Sequence, residues 1–135
     1  MGNGNGYRLL VVEDDAVLCE SIADILRFTG YEVDTAEDGE AALRVLRDAP
    51  PPDAILLDLV LPHMTANGLL DTIDASLRPR PPVVLMTGMV PRPAIASGVD
   101  DVLLKPFDVD ELLARIARAC STVARSAGAE ASAAP

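Results

Sequence analysis

The sequence is poor in aromatic residues and contains no long apolar run. It has two tyrosines, two phenylalanines and no tryptophan, although half of its 135 residues are hydrophobic, so its core must be aliphatic. No apolar stretch approaches the roughly 20 residues that a membrane-spanning helix needs. Residues 1–6 lack the apolar segment of a secretory signal and are expected to form a flexible lead. A chain of this length is expected to form one domain with a core of its own.

Basic residues and cysteines are scarce as well. Lysine and arginine total 11 against 21 aspartate and glutamate residues, which gives a net charge of −10. An acidic surface repels nucleic-acid phosphates and anionic lipids, so neither nucleic acid nor a membrane is expected as a partner. Cys19 and Cys120 have no metal-ligand spacing, and both fall in helical patterns. We therefore expect buried thiols in a reducing cytoplasm and no disulfide.

Short, nearly continuous apolar runs alternate with helical patterns along the chain. Runs of this kind predict strands that are buried on both faces of a parallel sheet. The predicted strands are Tyr7–Val12, Tyr31–Ala36, Ala54–Asp58, Val83–Thr87 and Asp101–Leu104. This alternation favours an open, doubly wound α/β domain with right-handed crossovers.

Helices are predicted between the strands and after the last one. They are expected after the N-cap Asp15, at Asp38–Asp48, at Gly68–Leu77 and from about Asp108. The domain as a whole is expected to cover residues 7–123. Residues 124–135, which are rich in alanine and serine, are expected to form a disordered tail.

Polar residues stand where the apolar runs stop. They are Glu13, Asp14, Asp58, Thr87 and Lys105. Because the carboxyl ends of parallel strands share one edge of the sheet, we expect these side chains to converge there. Carboxylates that lie close together need a cation, and an oxygen-only ligand set suits Mg²⁺, with Mn²⁺ as an alternative. A carboxylate beside such a cation is a competent nucleophile for a phosphoryl group.

Four stretches together resemble the receiver domains of bacterial two-component response regulators. They are Leu9–Asp15, Pro52–Pro62, Val84–Gly88 and Leu103–Phe107. The resemblance extends from about Arg8 to Cys120, and it implies a flavodoxin-like fold with strand order 2-1-3-4-5. It also implies a signalling module that is no enzyme beyond assisting its own phosphorylation and dephosphorylation. Its partners would be a histidine kinase or histidine phosphotransfer protein and an output protein of unknown identity.

The same resemblance implies a role for each residue at the sheet edge. Asp58 would be the phosphoacceptor, Thr87 would bind a phosphoryl oxygen and Lys105 would pair with the phosphoryl group. Around Mg²⁺ the resemblance places Asp14, Asp58, the carbonyl of Val60 and, through water, Glu13. The peptide bond between Lys105 and Pro106 would be cis, a form that X–Pro bonds adopt at little cost.

The chain also departs from the pattern of that family. Val102 stands where the family usually has an aromatic residue whose rotation reports phosphorylation. The segment Met89–Ser97 contains two prolines and is short by roughly one helical turn, so a shortened or irregular fourth helix is expected. Val60 and Met89 occupy positions that flank the hydrolytic water in the family. Neither side chain can hydrogen-bond that water, so we expect slow loss of the phosphoryl group.

Two alternative functions compete with a phosphorylated receiver. A degenerate receiver would act as a protein-binding module without being phosphorylated, and Val102 and the short segment before strand five fit that alternative. A phosphatase of the haloacid-dehalogenase type also uses a strand-end aspartate with Mg²⁺. That family needs a second aspartate two residues further on, where this chain has Val60, so the phosphatase is the weaker alternative.

Overall fold

The computed structural model describes residues 6–60, 65–76, 80–88 and 98–133. The strands are β1 (Arg8–Val12), β2 (Glu32–Ala36), β3 (Ala54–Asp58), β4 (Val83–Thr87) and β5 (Asp101–Leu104). The helices of the described ranges are α1 (Ala16–Phe28), α2 (Gly39–Asp48), α3 (Ala66–Ser76) and α4 (Val109–Ala133). The strands form one five-stranded sheet in the order β2-β1-β3-β4-β5, with every neighbouring pair parallel. The predicted α/β fold and strand order are therefore confirmed.

The core lies on both faces of the sheet because the central strands are apolar along their whole length. Every residue of β3 and β4 is buried. Side chains of a strand alternate between the two faces. Leu9 and Val11 accordingly pack with α1 and α4, whereas Leu10 and Val12 pack with α2 and α3. A one-residue slip of β1 would exchange these two sets, so the packing fixes the register that places Glu13 at the sheet edge.

Both cysteines are buried free thiols, as the sequence predicts. They belong to the core cluster between the sheet and helices α1 and α4. Burial raises the pKa of Cys120 to about 12, and it also raises the pKa of Cys19. Both groups are therefore neutral at physiological pH and contribute to packing.

Short polar side chains begin the helices. The carboxylate of Asp15 accepts hydrogen bonds from the backbone N–H groups of Val17 and Leu18, each at 3.1 Å, and thus caps α1 as predicted. Helix α3 starts at Ala66, earlier than the predicted Gly68, because Thr65 Oγ1 accepts from the Gly68 N–H at 3.0 Å.

The end of the chain differs from the prediction. Disorder was expected from residue 124, but α4 continues to Ala133. The segment after residue 124 has few side chains that could form a core, but it is rich in alanine, which has the highest helix propensity of all residues. It can therefore extend a helix that is already nucleated by the preceding residues. None of the described helices is both long and apolar enough to cross a membrane.

Some predictions fall outside the described residues. They concern residues 1–5 of the lead, the end of helix three after Ser76, and the shortened fourth helix expected at Met89–Ser97. Val102 is described: it is partly buried and packs against the core cluster formed with α2 and α3. The difference from the family at this position, valine in place of an aromatic residue, therefore rests on the sequence alone.

Candidate functional site

The carboxyl edge of the sheet brings three carboxylates together. Val12 of β1 is paired in register with Leu57 of β3, so the residues that follow them are neighbours across the two strands. One carboxylate oxygen of each of Glu13, Asp14 and Asp58 lies within 4.8 Å of the other two. Glu13 and Asp58 are buried, with 1% and 5% of their surface exposed, whereas Asp14 is exposed. The predicted convergence of these three acidic side chains is therefore present.

The donor set fits a hard divalent cation. The three groups offer only carboxylate oxygens, which Mg²⁺ and Mn²⁺ prefer and which suit Zn²⁺ less well than nitrogen or sulfur. Two of the three are buried, where like charges are costly unless a cation offsets them. A single ammonium group pairs with the cluster in the described part of the chain, so a divalent cation would bring the local charge close to balance.

That ammonium group belongs to Lys105, which follows β5. Its Nζ lies 2.9 Å from Glu13 Oε1 and 3.5 Å from Asp58 Oδ1. Its backbone N–H donates to the carbonyl of Thr87 at 2.7 Å, which ties the end of β5 to the end of β4. The following bond to Pro106 is cis, as the resemblance implies. These contacts direct the lysine side chain into the acidic cluster.

The lysine stays charged in this environment. Partial burial lowers the pKa of Lys105, but the hydrogen bond to Glu13 and the negative charges of Asp58 and Glu13 outweigh burial and raise the pKa. A protonated Lys105 can donate to an oxyanion, and the oxygens of a phosphoryl group are ligands of that kind.

The Glu13 carboxylate is held on both of its oxygens. Oε1 accepts from Lys105, and Oε2 accepts from the backbone N–H of Asp15 at 3.2 Å. Asp15 is also the residue that caps α1, so the first turn of this helix orients the Glu13 side chain. The sequence does not predict Glu13 as the nearer partner of Lys105, because strand ends fix which residues meet but not which oxygen a lysine contacts.

Asp58 is held more loosely than Glu13. The hydrogen bonds described for its carboxylate both end on Oδ1, at 3.5 Å from Lys105 Nζ and 3.4 Å from the backbone N–H of Val60. Both distances are long for charge-assisted hydrogen bonds. The Asp58 carboxylate is therefore held by weaker contacts than the Glu13 carboxylate in the described part of the chain.

Thr87 and Val60 complete the edge. Thr87 is the last residue of β4 and is 3% exposed. Asp58 is paired in register with Met86, which places Thr87 one step beyond Asp58 at the same edge. Val60 leaves 72% of its surface exposed. A Cβ added to Gly88 would meet no atom within 4 Å, so space is open beside Thr87. Met89, which the resemblance implies to lie near the hydrolytic water, is outside the described residues.

Comparison with known proteins gives one consistent family. A family model described as the response regulator receiver domain matches residues 9–117. The chain is 35% identical over 118 residues to "Probable transcriptional regulatory protein TcrX" of Mycobacterium tuberculosis, covering 84% of this chain and 50% of that protein. It is 36% identical over 113 residues to "DNA-binding response regulator MtrA" of Mycolicibacterium paratuberculosis, covering 81% and 49%. The chain thus spans about half the length of the curated relatives it matches.

Solved structures agree with these sequence matches. The chemotaxis response regulator CheY4 of Vibrio cholerae superposes with a TM-score of 0.76 at 26% identity, covering 84% of this chain and 98% of that one. A protein of almost the same length as the matched region therefore has the same fold.

One prediction from composition is wrong. The net charge excluded nucleic acid as a partner, but MtrA of Mycolicibacterium paratuberculosis is described as DNA-binding. The charge of −10 counts only this chain, which spans about half of that relative. A surface charge informs about binding by that surface and not about binding elsewhere in a longer or assembled protein.

Proposed function

Because the chain belongs to the response regulator receiver domain family, we propose that Asp58 takes a phosphoryl group from a phosphohistidine of a partner protein. The partner would be a histidine kinase or a histidine phosphotransfer protein. The observation that carries the proposal is the meeting of Asp58, Asp14 and Lys105 at one sheet edge. The phosphorylated protein then signals by binding another protein and is not an enzyme that acts on other substrates.

The residues of the edge divide the reaction between them. A carboxylate oxygen of Asp58 attacks phosphorus, the bond from phosphorus to the imidazole nitrogen breaks, and the imidazole leaves with the electron pair. Lys105 pairs with a phosphoryl oxygen, and the Thr87 hydroxyl donates to another. The position of Lys105 near Asp58 and of Thr87 at the adjacent strand end supports this division, because groups held at one edge need little reorganisation during transfer.

A divalent cation belongs to this proposal. Asp14 and Asp58 would hold Mg²⁺ directly, together with the carbonyl of Val60, and Glu13 would act through water. When bound, Mg²⁺ offsets the charge of the carboxylates and of the phosphoryl oxygens. The two exposed positions, Asp14 and Val60, leave the site open to a protein donor.

The output is inferred from the relatives. The names of MtrA and TcrX describe DNA binding and transcriptional regulation. We infer that phosphorylation of this chain controls a DNA-binding unit, either in the same protein or in a partner. A cytoplasmic location is part of the same proposal, and the free buried thiols of Cys19 and Cys120 fit it.

Labelling with a small phosphoryl donor tests the assignment of Asp58. Acetyl phosphate with Mg²⁺ should add one phosphoryl group to the wild-type protein, as read by intact mass. Asp58→Asn should abolish the addition. Asp15→Asn is the matched control, because asparagine still caps α1 and leaves the cluster in place.

The outcomes separate the alternatives. Labelling of Asp58→Asn at the wild-type level contradicts the assignment. No labelling of the wild type under conditions that label another receiver supports the degenerate, unphosphorylated module. Catalytic release of phosphate from added phosphoesters would favour the phosphatase.

A further inference from the structure

The two carboxylates that contact Lys105 are unequal partners. The Nζ atom is 2.9 Å from Glu13 Oε1 but 3.5 Å from Asp58 Oδ1. The first distance is typical of a charge-assisted hydrogen bond, and the second is at the limit of one. Lys105 therefore forms its stronger ion pair with Glu13 and its weaker one with Asp58.

Glu13 is built into the fold in a way that suits this function. Its side chain is 1% exposed, and its second oxygen is held by the backbone N–H of Asp15. That N–H belongs to the turn that begins α1, so the carboxylate cannot rotate without losing a hydrogen bond at the start of the helix. With one oxygen taken by the helix turn, the other is presented to the lysine.

We propose that Glu13 is a positioning residue that holds Lys105 away from Asp58, so that the Asp58 carboxylate remains available to the cation and to the phosphoryl donor. Binding of Mg²⁺ beside Asp58 and pairing of Lys105 with Asp58 compete for the same oxygens. Because the Glu13 carboxylate holds the Lys105 ammonium group, the lysine no longer competes with Mg²⁺ for the oxygens of Asp58. For phosphoryl transfer the inference rests on the proposed function, but for cation binding it stands independently.

Replacing Glu13 with glutamine exposes this role. Both neighbours of the carboxylate, Lys105 Nζ and the Asp15 N–H, are donors. A carboxylate can accept from both, whereas an amide has one acceptor oxygen and one NH₂ group and can satisfy only one of them. Without a charged partner at Glu13, Lys105 moves onto Asp58 and competes with the cation.

A double-mutant cycle on cation binding separates this role from that of a metal ligand. Mg²⁺ affinity is measured by calorimetry for the wild type, Glu13→Gln, Lys105→Met and the double variant. We expect Glu13→Gln to weaken Mg²⁺ binding by about fivefold to tenfold beside Lys105, and Lys105→Met to strengthen it. In the Lys105→Met protein, Glu13→Gln should weaken Mg²⁺ binding less, because it then removes one nearby charge and a water-mediated contact but no longer releases the lysine onto Asp58.

Asp15→Asn calibrates the effect of removing one nearby charge. It removes one negative charge next to the cluster while the Asp15 N–H stays in place, so it is the matched control for charge alone. If Glu13→Gln weakens Mg²⁺ binding equally with and without the lysine, and by more than Asp15→Asn does, Glu13 is a ligand and the inference is wrong.

Two further points keep the test decisive. If Glu13→Gln fails to fold beside Lys105, Glu13→Asp keeps the charge but shortens the reach, and the same lysine-dependent loss of Mg²⁺ affinity is expected. Calorimetry of Mg²⁺ binding needs no phosphorylation. If acetyl phosphate failed to phosphorylate the wild-type protein, the proposed function would be contradicted, but the result on Glu13 would still stand.

Discussion

The two edges of the sheet use charged residues in opposite ways. At the amino edge, Arg8 pairs with Asp34 at 3.0 Å and with Glu32 at 3.5 Å, and its backbone N–H donates to Asp53 at 2.8 Å. At the carboxyl edge, the single ammonium of Lys105 meets two buried carboxylates, and the third carboxylate of the cluster lies beside them. The carboxylates of the amino edge are thus held by a guanidinium group and a backbone N–H, whereas the three clustered carboxylates of the carboxyl edge have one ammonium group beside them in the described part of the chain.

A second network at the amino edge also surrounds its carboxylates with guanidinium and backbone donors. Arg80 contacts Asp74 at 3.0 Å and Asp100 at 3.5 Å, and it donates to the carbonyl of Gly98 at 3.1 Å. Asp100 also accepts from the N–H of Val83 at 2.7 Å, which fastens the start of β4. Carboxylates that accept from neighbouring donors fasten the strand ends at this edge, whereas the carboxyl edge clusters three carboxylates beside one described ammonium group.

The largest expected effect is on cation binding. Asp14→Ala should weaken Mg²⁺ binding by about 100-fold, because it removes a direct ligand from the edge with excess charge. Asp15→Ala should change the affinity far less, since its carboxylate caps α1. Calorimetric titration of both variants measures the difference. Equal losses of Mg²⁺ affinity would mean that the roles assigned to Asp14 and Asp15, metal ligand and helix cap, are wrong.

The next largest effect is on the lifetime of the phosphoryl group on Asp58. Val60 leaves 72% of its surface beside Asp58 exposed, and it cannot orient a water molecule by hydrogen bonding. Val60→Asn combined with Met89→Glu should speed dephosphorylation by roughly 10²-fold, the lower end of the effect of general acid–base groups. Decay of phosphorylated protein after removal of the donor gives the rate, and Val60→Leu serves as the apolar control. A wild type that decays faster than the double variant would rule out this explanation.

The smallest effect concerns the amino edge. Asp53→Ala should destabilise the protein by about 1–2 kcal/mol, because the partly buried N–H of Arg8 then lacks its acceptor. Asp24→Ala removes an exposed partner of Arg27 at 3.8 Å and should cost less than about 0.5 kcal/mol. Urea unfolding compares the two. Equal costs would show that Asp53 contributes no more than a surface ion pair.

The contrast between the two edges was partly predictable from sequence. The apolar runs predict where each strand ends. Because the carboxyl ends of parallel strands lie at one edge of the sheet, the sequence also predicts that Glu13, Asp14, Asp58 and Lys105 lie close together. The preference of Lys105 for Glu13 depends on side-chain distances of 2.9 and 3.5 Å, which no residue pattern encodes. The helical end of α4 was missed because a composition typical of disorder is also rich in the strongest helix former.

The unfolding free energy of Asp58→Asn in the absence of divalent cations tests most directly whether the carboxyl edge holds an excess of negative charge. Asparagine removes one of the clustered charges, so the variant should be more stable than the wild type by about 1 kcal/mol. Adding Mg²⁺ should stabilise the wild type and leave the variant nearly unchanged, because ligands stabilise only the state that binds them. A variant that is less stable than the cation-free wild type, and that gains as much from Mg²⁺, would contradict the account.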